Sequence, residues 1–366
     1  MISRLMAQGD ALDARERPPA FIKSVYKFYR KLSKNAFTSD AGVLDLSLGL
    51  SPANCSMVKK VDKLLRSTVY AACCHLRDGN GLASLMLGSD VEVYEARNIP
   101  GLLLIPSLVP RETQRHLLSK VLHRDLSDAR HRTNVHLHHQ LPYNAVQRCF
   151  PHSSELESAS RALSFFNLSP TSSDLFLPVD DSIHKPLTVS QFLGRKLRWM
   201  TLGDQYDWTQ KCYLLDNPPF PADIAAFVHG LFPEMVAEAA IVNVYTPGDT
   251  LSMHRDVSEK CERGLVSISL GCDGVFVVGL GSEKDGNEKS LVVRLRSGDA
   301  VFMTGPSRFA WHGVPQILPD TCPEWLRPWP ATPMSDLDQD RNDPYNAWRG
   351  WISNKRINLN VRQMRD

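Results

Sequence analysis

The sequence predicts a mainly β protein with flanking helices, an α+β chain whose C-terminal part closes as a sandwich or a jelly roll. Eight short apolar or alternating runs follow one another at 239–246, 251–256, 264–270, 274–280, 290–296, 299–304, 308–314 and 355–363. Turn chemistry separates them: Pro247-Gly248-Asp249, Asp273-Gly274, Asp285-Gly286-Asn287 and Ser297-Gly298-Asp299. Closely spaced strands of this kind need a second sheet to cover their apolar faces. Ahead of residue 90 the pattern turns helical instead.

The bulk properties set the limits. The chain has 366 residues, 43% hydrophobic and 22% charged, which suits a soluble globular fold of one large domain with an extension. We divide it into an N-terminal extension, 1–90, and a domain, 91–366. No apolar run approaches the roughly 20 residues of a membrane-spanning helix. A net charge of +2 and a pI near 8.1 permit a nucleic-acid ligand without announcing one. The eight cysteines form no C-x-x-C pair and follow no secretory signal, so reduced packing thiols are expected. Asp10, Asp13 and Glu16 interrupt an arginine-bearing N-terminus, which argues against a mitochondrial transit peptide. The expected location is nucleus or cytoplasm, with the mitochondrion left open.

Taken in order, residues 20–34 place apolar residues at helical spacing beside five lysines or arginines, a basic amphipathic helix that packs on its parent domain. Residues 52–88 include another helical-looking stretch, with Cys73, Cys74 and His75, to which no role is assigned. Residues 91–110 read as a strand, a turn at Pro100-Gly101 and a second strand stopped by proline. A helix is expected over 111–124. Four histidines, His131, His136, His138 and His139, lie in a loop-like stretch with no partner carboxylate, so they read as structural or surface groups. Residues 150–182, rich in Ser, Pro and Asp, read as a long surface loop, and 319–354 as a loop inserted before the last strand.

The chemistry begins at His254-Arg255-Asp256. Residues two apart on a strand project to one face, so this histidine and carboxylate can reach one cation. His312, followed by Gly313 on the seventh run, supplies the second histidine of a 2-His-1-carboxylate triad. Such a triad leaves positions open and serves non-heme Fe(II). On the last run Arg356, Asn358, Asn360 and Arg362 alternate with Ile357, Leu359 and Val361. Burying two guanidinium groups inside a barrel is costly unless anions meet them, and a dicarboxylate provides two. Asn243 and Tyr245 share a face on the strand that leads into H-x-D and can hydrogen-bond a small anion beside the metal.

The stretches NVYTPGDTLSMHRD, SISLG, GDAVFMTGPSR, the H-G pair and RINLNVRQ closely resemble the AlkB family of oxidative nucleic-acid demethylases. LRWMTLGDQYDWTQKCY narrows the likeness to the branch around AlkB homologue 1, over roughly residues 91–366. The resemblance implies a double-stranded β-helix core over about 236–366, preceded by a nucleotide-recognition lid at about 190–220. It implies Fe(II) held by His254, Asp256 and His312, with 2-oxoglutarate and O2 as co-substrates. The 2-oxoglutarate contacts fall on Asn243, Tyr245, Arg356, Asn358 and Arg362, with Arg356 at the distal carboxylate and Arg362 at the end nearer the metal. The implied reaction removes a methyl group from N6-methyladenine in DNA or 1-methyladenine in tRNA, releasing formaldehyde, succinate and CO2. The partner is then DNA or tRNA presenting an unpaired or flipped base. Tyr206, Trp208 and Tyr213, interleaved with Arg195, Lys196, Arg198 and Lys211, are the candidates for base stacking, and Glu259 for reading the base edge. The founding bacterial member carries an acidic residue where this chain has Ser258, so its mode of base recognition does not transfer. A dioxygenase acting on a protein or small molecule, and a silent nucleic-acid-binding protein, remain the alternatives.

Overall fold

The computed structural model describes residues 12–13, 15–47, 49–77, 89–148, 164–207, 212–213, 217–281, 288–332 and 343–366. Its larger sheet runs Val58–Leu64, Val91–Ala96, Leu102–Ile105, Ala300–Met303, Leu265–Gly271, Arg356–Arg362, Ala239–Tyr245 and Trp199–Gly203, each strand hydrogen-bonded to the next. The smaller sheet runs Val43–Leu44, Lys289–Leu295, Gly274–Leu280, Trp311–Ile317 and Leu251–His254. All eight runs expected between 239 and 363 are strands, four in each sheet. Because the chain crosses back and forth between the sheets, the core is a jelly roll of the double-stranded β-helix type.

The seventh strand starts later than expected, at Trp311 rather than 308. Pro306 opens a tight 3-10 turn over Gly305–Phe309, and the Ser307 hydroxyl closes it by accepting the Thr304 N–H and donating to the Thr304 carbonyl.

Residues before 90 are woven into both sheets. Val43–Leu44 joins the smaller sheet in parallel with Lys289–Leu295, and Val58–Leu64 pairs with Val91–Ala96 across residue 90. The second of these strands lies within 52–88 and was not expected from the sequence. Its outward lysines disguise it, and they pair across the strands: Lys59 with Glu95 at 2.8 Å, Lys63 with Asp90 at 2.9 Å, and Lys60 with Glu92. A helix does follow, Arg66–Cys74, packed on helix Ala222–Leu231.

The basic helix forms over Ala20–Lys31. Ile22, Tyr26 and Tyr29, spaced four and three apart, are buried against Met253, Val275, Val277 and Trp311 on the outer face of the smaller sheet. The Gln316 side-chain amide donates to the carbonyls of Tyr29 and Leu32 at 2.6 and 2.7 Å, satisfying the helix C-terminus. Every lysine of the helix is turned to solvent.

Helix Arg111–Ser119 forms as expected and continues in a wider turn, Lys120–Asp125. The stretch 150–182, read as a surface loop, differs in its described part. Phe165 and Phe166 are fully buried, and Leu175–Pro178 is a strand. Two adjacent phenylalanines outweighed the polar composition around them. The insertion 319–354 lacks strands among its described residues, yet it buries Leu326, Trp329, Trp348 and Ile352. Buried His123 is stacked between Trp329 and Tyr345 of this insertion. The histidine-rich stretch is structural where hydrogen bonds define it. His131 is buried on the Asp125 carbonyl, while His136 accepts the Thr133 N–H and meets the Tyr143 hydroxyl.

Candidate metal and co-substrate site

The two sheets enclose a cavity of about 410 Å³ lined by residues of both, including His254, Asp256, His312, Asn243, Arg356, Asn358 and Arg362. Among the described residues His254, Asp256 and His312 form the one group of three metal-binding side chains, with donor atoms all within 4.8 Å of one another. Strand pairing brings its two histidines together, and Asp256 joins them from just past the end of its strand. His254 lies directly opposite His312 in the antiparallel ladder, with ring centroids 4.3 Å apart. The Asp256 carboxylate stands 3.8 Å from His254 Nε2 and 3.7 Å from His312 Nε2. Gly313 lets the two strands approach this closely. A Cβ there would lie 2.9 Å from both the Leu251 carbonyl oxygen and the Met253 sulfur.

Both imidazoles are held in one tautomer. Nδ1–H of His254 donates to the Ser252 carbonyl at 2.9 Å, and that of His312 to the Ala310 carbonyl at 3.0 Å. A carbonyl only accepts, so each Nδ1 carries the proton and each Nε2 presents its lone pair to the shared centre. Burial and the neighbouring His254 push His312 down to about 4, so it is neutral at pH 7. Burial alone would raise the Asp256 carboxyl. Arg362, the two histidines and Arg308 outweigh burial and hold it well below the usual carboxylate range. Two imidazoles and one carboxylate are the donor set that Fe(II) takes.

The co-substrate end is equally defined by register. Arg356 lies opposite Tyr245, and Asn358 opposite Asn243 on one side and Ser269 on the other. Arg356 is 1% exposed. Its Nη2 donates to Ser269 Oγ at 2.9 Å, while Nε and Nη1 and the hydroxyl of Tyr245 have no partner among the described residues. A buried guanidinium with two unsatisfied nitrogens is costly in itself and is relieved by an anion. Burial lowers the Arg356 pKa and raises that of Tyr245. Gly274 leaves the space the guanidinium occupies, since a Cβ there would stand 2.6 Å from Arg356 Nε. These residues fit a dicarboxylate whose far end meets Arg356.

Arg362 is engaged differently. Its Nη2 donates to Asp256 Oδ2 at 3.1 Å and its Nε lies 3.4 Å from Glu259 Oε1. Glu259, read from sequence as a base-edge contact, has a side chain only 2% exposed and pairs with Arg308 at 3.0 Å. Its carboxylate is thus paired with two arginines at the cavity wall. Tyr206 stands half-buried in the cavity wall, its hydroxyl 3.3 Å from that of Ser258. Arg195, Lys196 and Arg198 are exposed. Trp208 and Lys211 lie outside the described residues, as does the side chain of Tyr213, whose backbone pairs with Tyr206.

Sequence reasoning passed over Ser267 and Ser269, which alternate inward beside Asn358 and Arg356. Their period-2 spacing was the available signal. It also passed over Phe276 beside His312, and Arg308, for which no local signal existed.

Fold and site together define an Fe(II) oxygenase of the 2-oxoglutarate type, and residues 101–362 match the 2OG-Fe(II) oxygenase superfamily, to which the chain belongs. Among its relatives, an N6-methyladenosine RNA demethylase ALKB1 of Pyricularia oryzae is 44% identical over 97% of this chain and 98% of its own length. An N6-methyladenosine RNA demethylase ALKBH of Cryphonectria parasitica is 48% identical over 63% of this chain and all of its own length. A tRNA demethylase abh1 of Schizosaccharomyces pombe is 38% identical over 75% of this chain and 82% of its own length.

Proposed function

We propose that this chain is an Fe(II)- and 2-oxoglutarate-dependent dioxygenase that oxidatively demethylates methylated adenine in nucleic acid. The observation that carries the reading is one cavity lined both by the His254, Asp256, His312 cluster and by Arg356, two of whose buried nitrogens have no partner among the described residues. The names of the relatives from Pyricularia and Cryphonectria favour N6-methyladenosine in RNA within that class, and the Schizosaccharomyces name favours tRNA.

His254, Asp256 and His312 would hold iron, and Arg356, helped by Tyr245, Asn243 and Asn358, would hold the distal carboxylate of 2-oxoglutarate. The loaded centre would supply oxidation by O2, one oxygen atom going to the methyl carbon and the other to the succinate formed from 2-oxoglutarate with loss of CO2. The chain's own work is positional. Arg362 orients the Asp256 carboxylate, and the apolar walls made by Phe276, Leu251, Leu295 and Val314 keep water from the reacting carbon. A base brings its methyl carbon to the metal ligands only when unpaired or flipped, and Tyr206 at the cavity wall provides a face to stack it.

The test is Fe(II)- and 2-oxoglutarate-dependent release of formaldehyde from RNA, tRNA and DNA oligonucleotides bearing N6-methyladenine or 1-methyladenine. We expect turnover of at least one, lost on chelation. Succinate formation with a protein or small-molecule substrate, and none with methylated nucleic acid, overturns the reading.

A further inference from the structure

Behind the metal ligands four charged side chains form a closed ring. Arg308 sits in the 3-10 turn Gly305–Phe309, just ahead of His312, and is 1% exposed. Its guanidinium is fully engaged with one loop. Nε donates to the carbonyl of Arg263 at 2.8 Å, Nη1 to the carbonyl of Asp256 at 2.9 Å, and Nη2 to Glu259 Oε2 at 3.0 Å. The other Glu259 oxygen lies 3.4 Å from Arg362 Nε, and Arg362 Nη2 donates to the Asp256 carboxylate at 3.1 Å. The ring therefore begins at the backbone of Asp256 and returns to its side chain.

The loop needs this support. Asp256 lies beyond the end of strand Leu251–His254, in an irregular stretch that runs to Gly264 with no ladder to fix it. One rigid fork pins the start of the loop, its middle and its end. The ring holds two carboxylates and two guanidinium groups, so it is neutral within itself and leaves no buried charge uncompensated. Neither Arg308 nor Glu259 comes within the set of donor atoms that would touch a metal.

We infer that Arg308 and Glu259 are positioning residues, which set the Asp256 carboxylate in the orientation that completes the metal site with His254 and His312. The inference rests on the triad being a metal site and goes beyond it. Groups that orient a metal ligand from behind change metal affinity by about 10- to 100-fold when removed.

Mn(II) binding to the metal-free full chain, followed by the electron paramagnetic resonance of free Mn(II), tests this without turnover. Wild type should bind, and His254→Ala should not. Arg308→Lys, which keeps charge and stem but not the fork, and Glu259→Gln, which keeps shape but not charge, should each bind about 10- to 100-fold more weakly. The rise in melting temperature produced by saturating Mn(II) should shrink with them. A purely structural role would lower the melting temperature of the metal-free protein and leave Mn(II) affinity alone. Either variant binding Mn(II) within about twofold of wild type, against the 10- to 100-fold expected, overturns the inference. A wild-type chain that binds no Mn(II) overturns the metal site itself, and this inference with it.

Discussion

Replacing Arg356 by methionine separates binding from stability more sharply than any other change at this site. The guanidinium is buried, bonded to Ser269 through one nitrogen, and its Nε and Nη1 have no hydrogen-bond partner among the described residues. Without co-substrate it is a buried, incompletely satisfied charge. Exchanging such a group for an apolar side chain of similar length is commonly neutral or stabilising, by about 1–4 kcal/mol. With co-substrate the same group pairs with a carboxylate away from water, and breaking a buried pair costs about 3–5 kcal/mol. At 1.4 kcal/mol per decade that is roughly a 100- to 4,000-fold loss of 2-oxoglutarate affinity. Arg356→Met should therefore bind 2-oxoglutarate at least about 100-fold more weakly, while the ligand-free chain melts no lower than wild type. Calorimetric titration of 2-oxoglutarate onto the Mn(II)-loaded chain, beside thermal melts of the ligand-free chain, reads both. Co-substrate affinity within a few-fold of wild type would show that Arg356 is no anion receptor, and a sharply lower melting temperature would show that its charge supports the fold instead.

His254→Ala should abolish Fe(II)-dependent formaldehyde release and leave nucleic-acid affinity by gel shift largely intact, because the triad is distinct from the exposed Arg195, Lys196 and Arg198. Turnover near wild type would refute the assigned triad. Gly313→Ala places a Cβ 2.9 Å from the Leu251 carbonyl and pushes the His254 and His312 strands apart. It should cost about 1–3 kcal/mol in urea unfolding, and an unchanged midpoint would contradict the close approach. Lys355 is 5% exposed and bonds the Gly194 carbonyl and Thr246 Oγ1, and burial lowers its pKa from 10.5 to about 8. Between those values the unfolded chain holds the extra proton, so this group adds stability as pH rises from about 8 to 10.5. Relative to Lys355→Met, wild type should gain about 3 kcal/mol across that window in urea unfolding, and parallel pH profiles for the two would refute the shift.

Much of this protein was readable because the signals are local. The eight core strands are bracketed by turn residues within a few positions of each end, and a turn is decided by the φ/ψ preferences of its own residues. The H-x-D spacing marked His254 and Asp256 as a pair, although the strand ends at His254 and Asp256 stands just past it, and the alternation from Arg356 to Arg362 announced a polar inner face. The strand Val58–Leu64 escaped notice because its lysines answer to acids on Val91–Ala96, a partner invisible from within the segment. The buried phenylalanines at 165 and 166 were hidden by polar neighbours in the same way.

What only the tertiary structure decided is the state of each charge. Local sequence allowed Glu259 to be either a base reader or a solvated loop carboxylate, and the fold sets it on the cavity wall with its carboxylate paired to two arginines. Arg308 and Arg362 arrive from 49 and 103 positions away to neutralise it in the interior. Likewise sequence offered two arginines for one co-substrate, and the fold left Arg356 facing the cavity while closing Arg362 onto Asp256. The periodicity of a strand determines which residues point inward. Whether an inward charge is spent on a neighbour or kept for a ligand depends on pairing across strands that share no local sequence, and packing alone sets that.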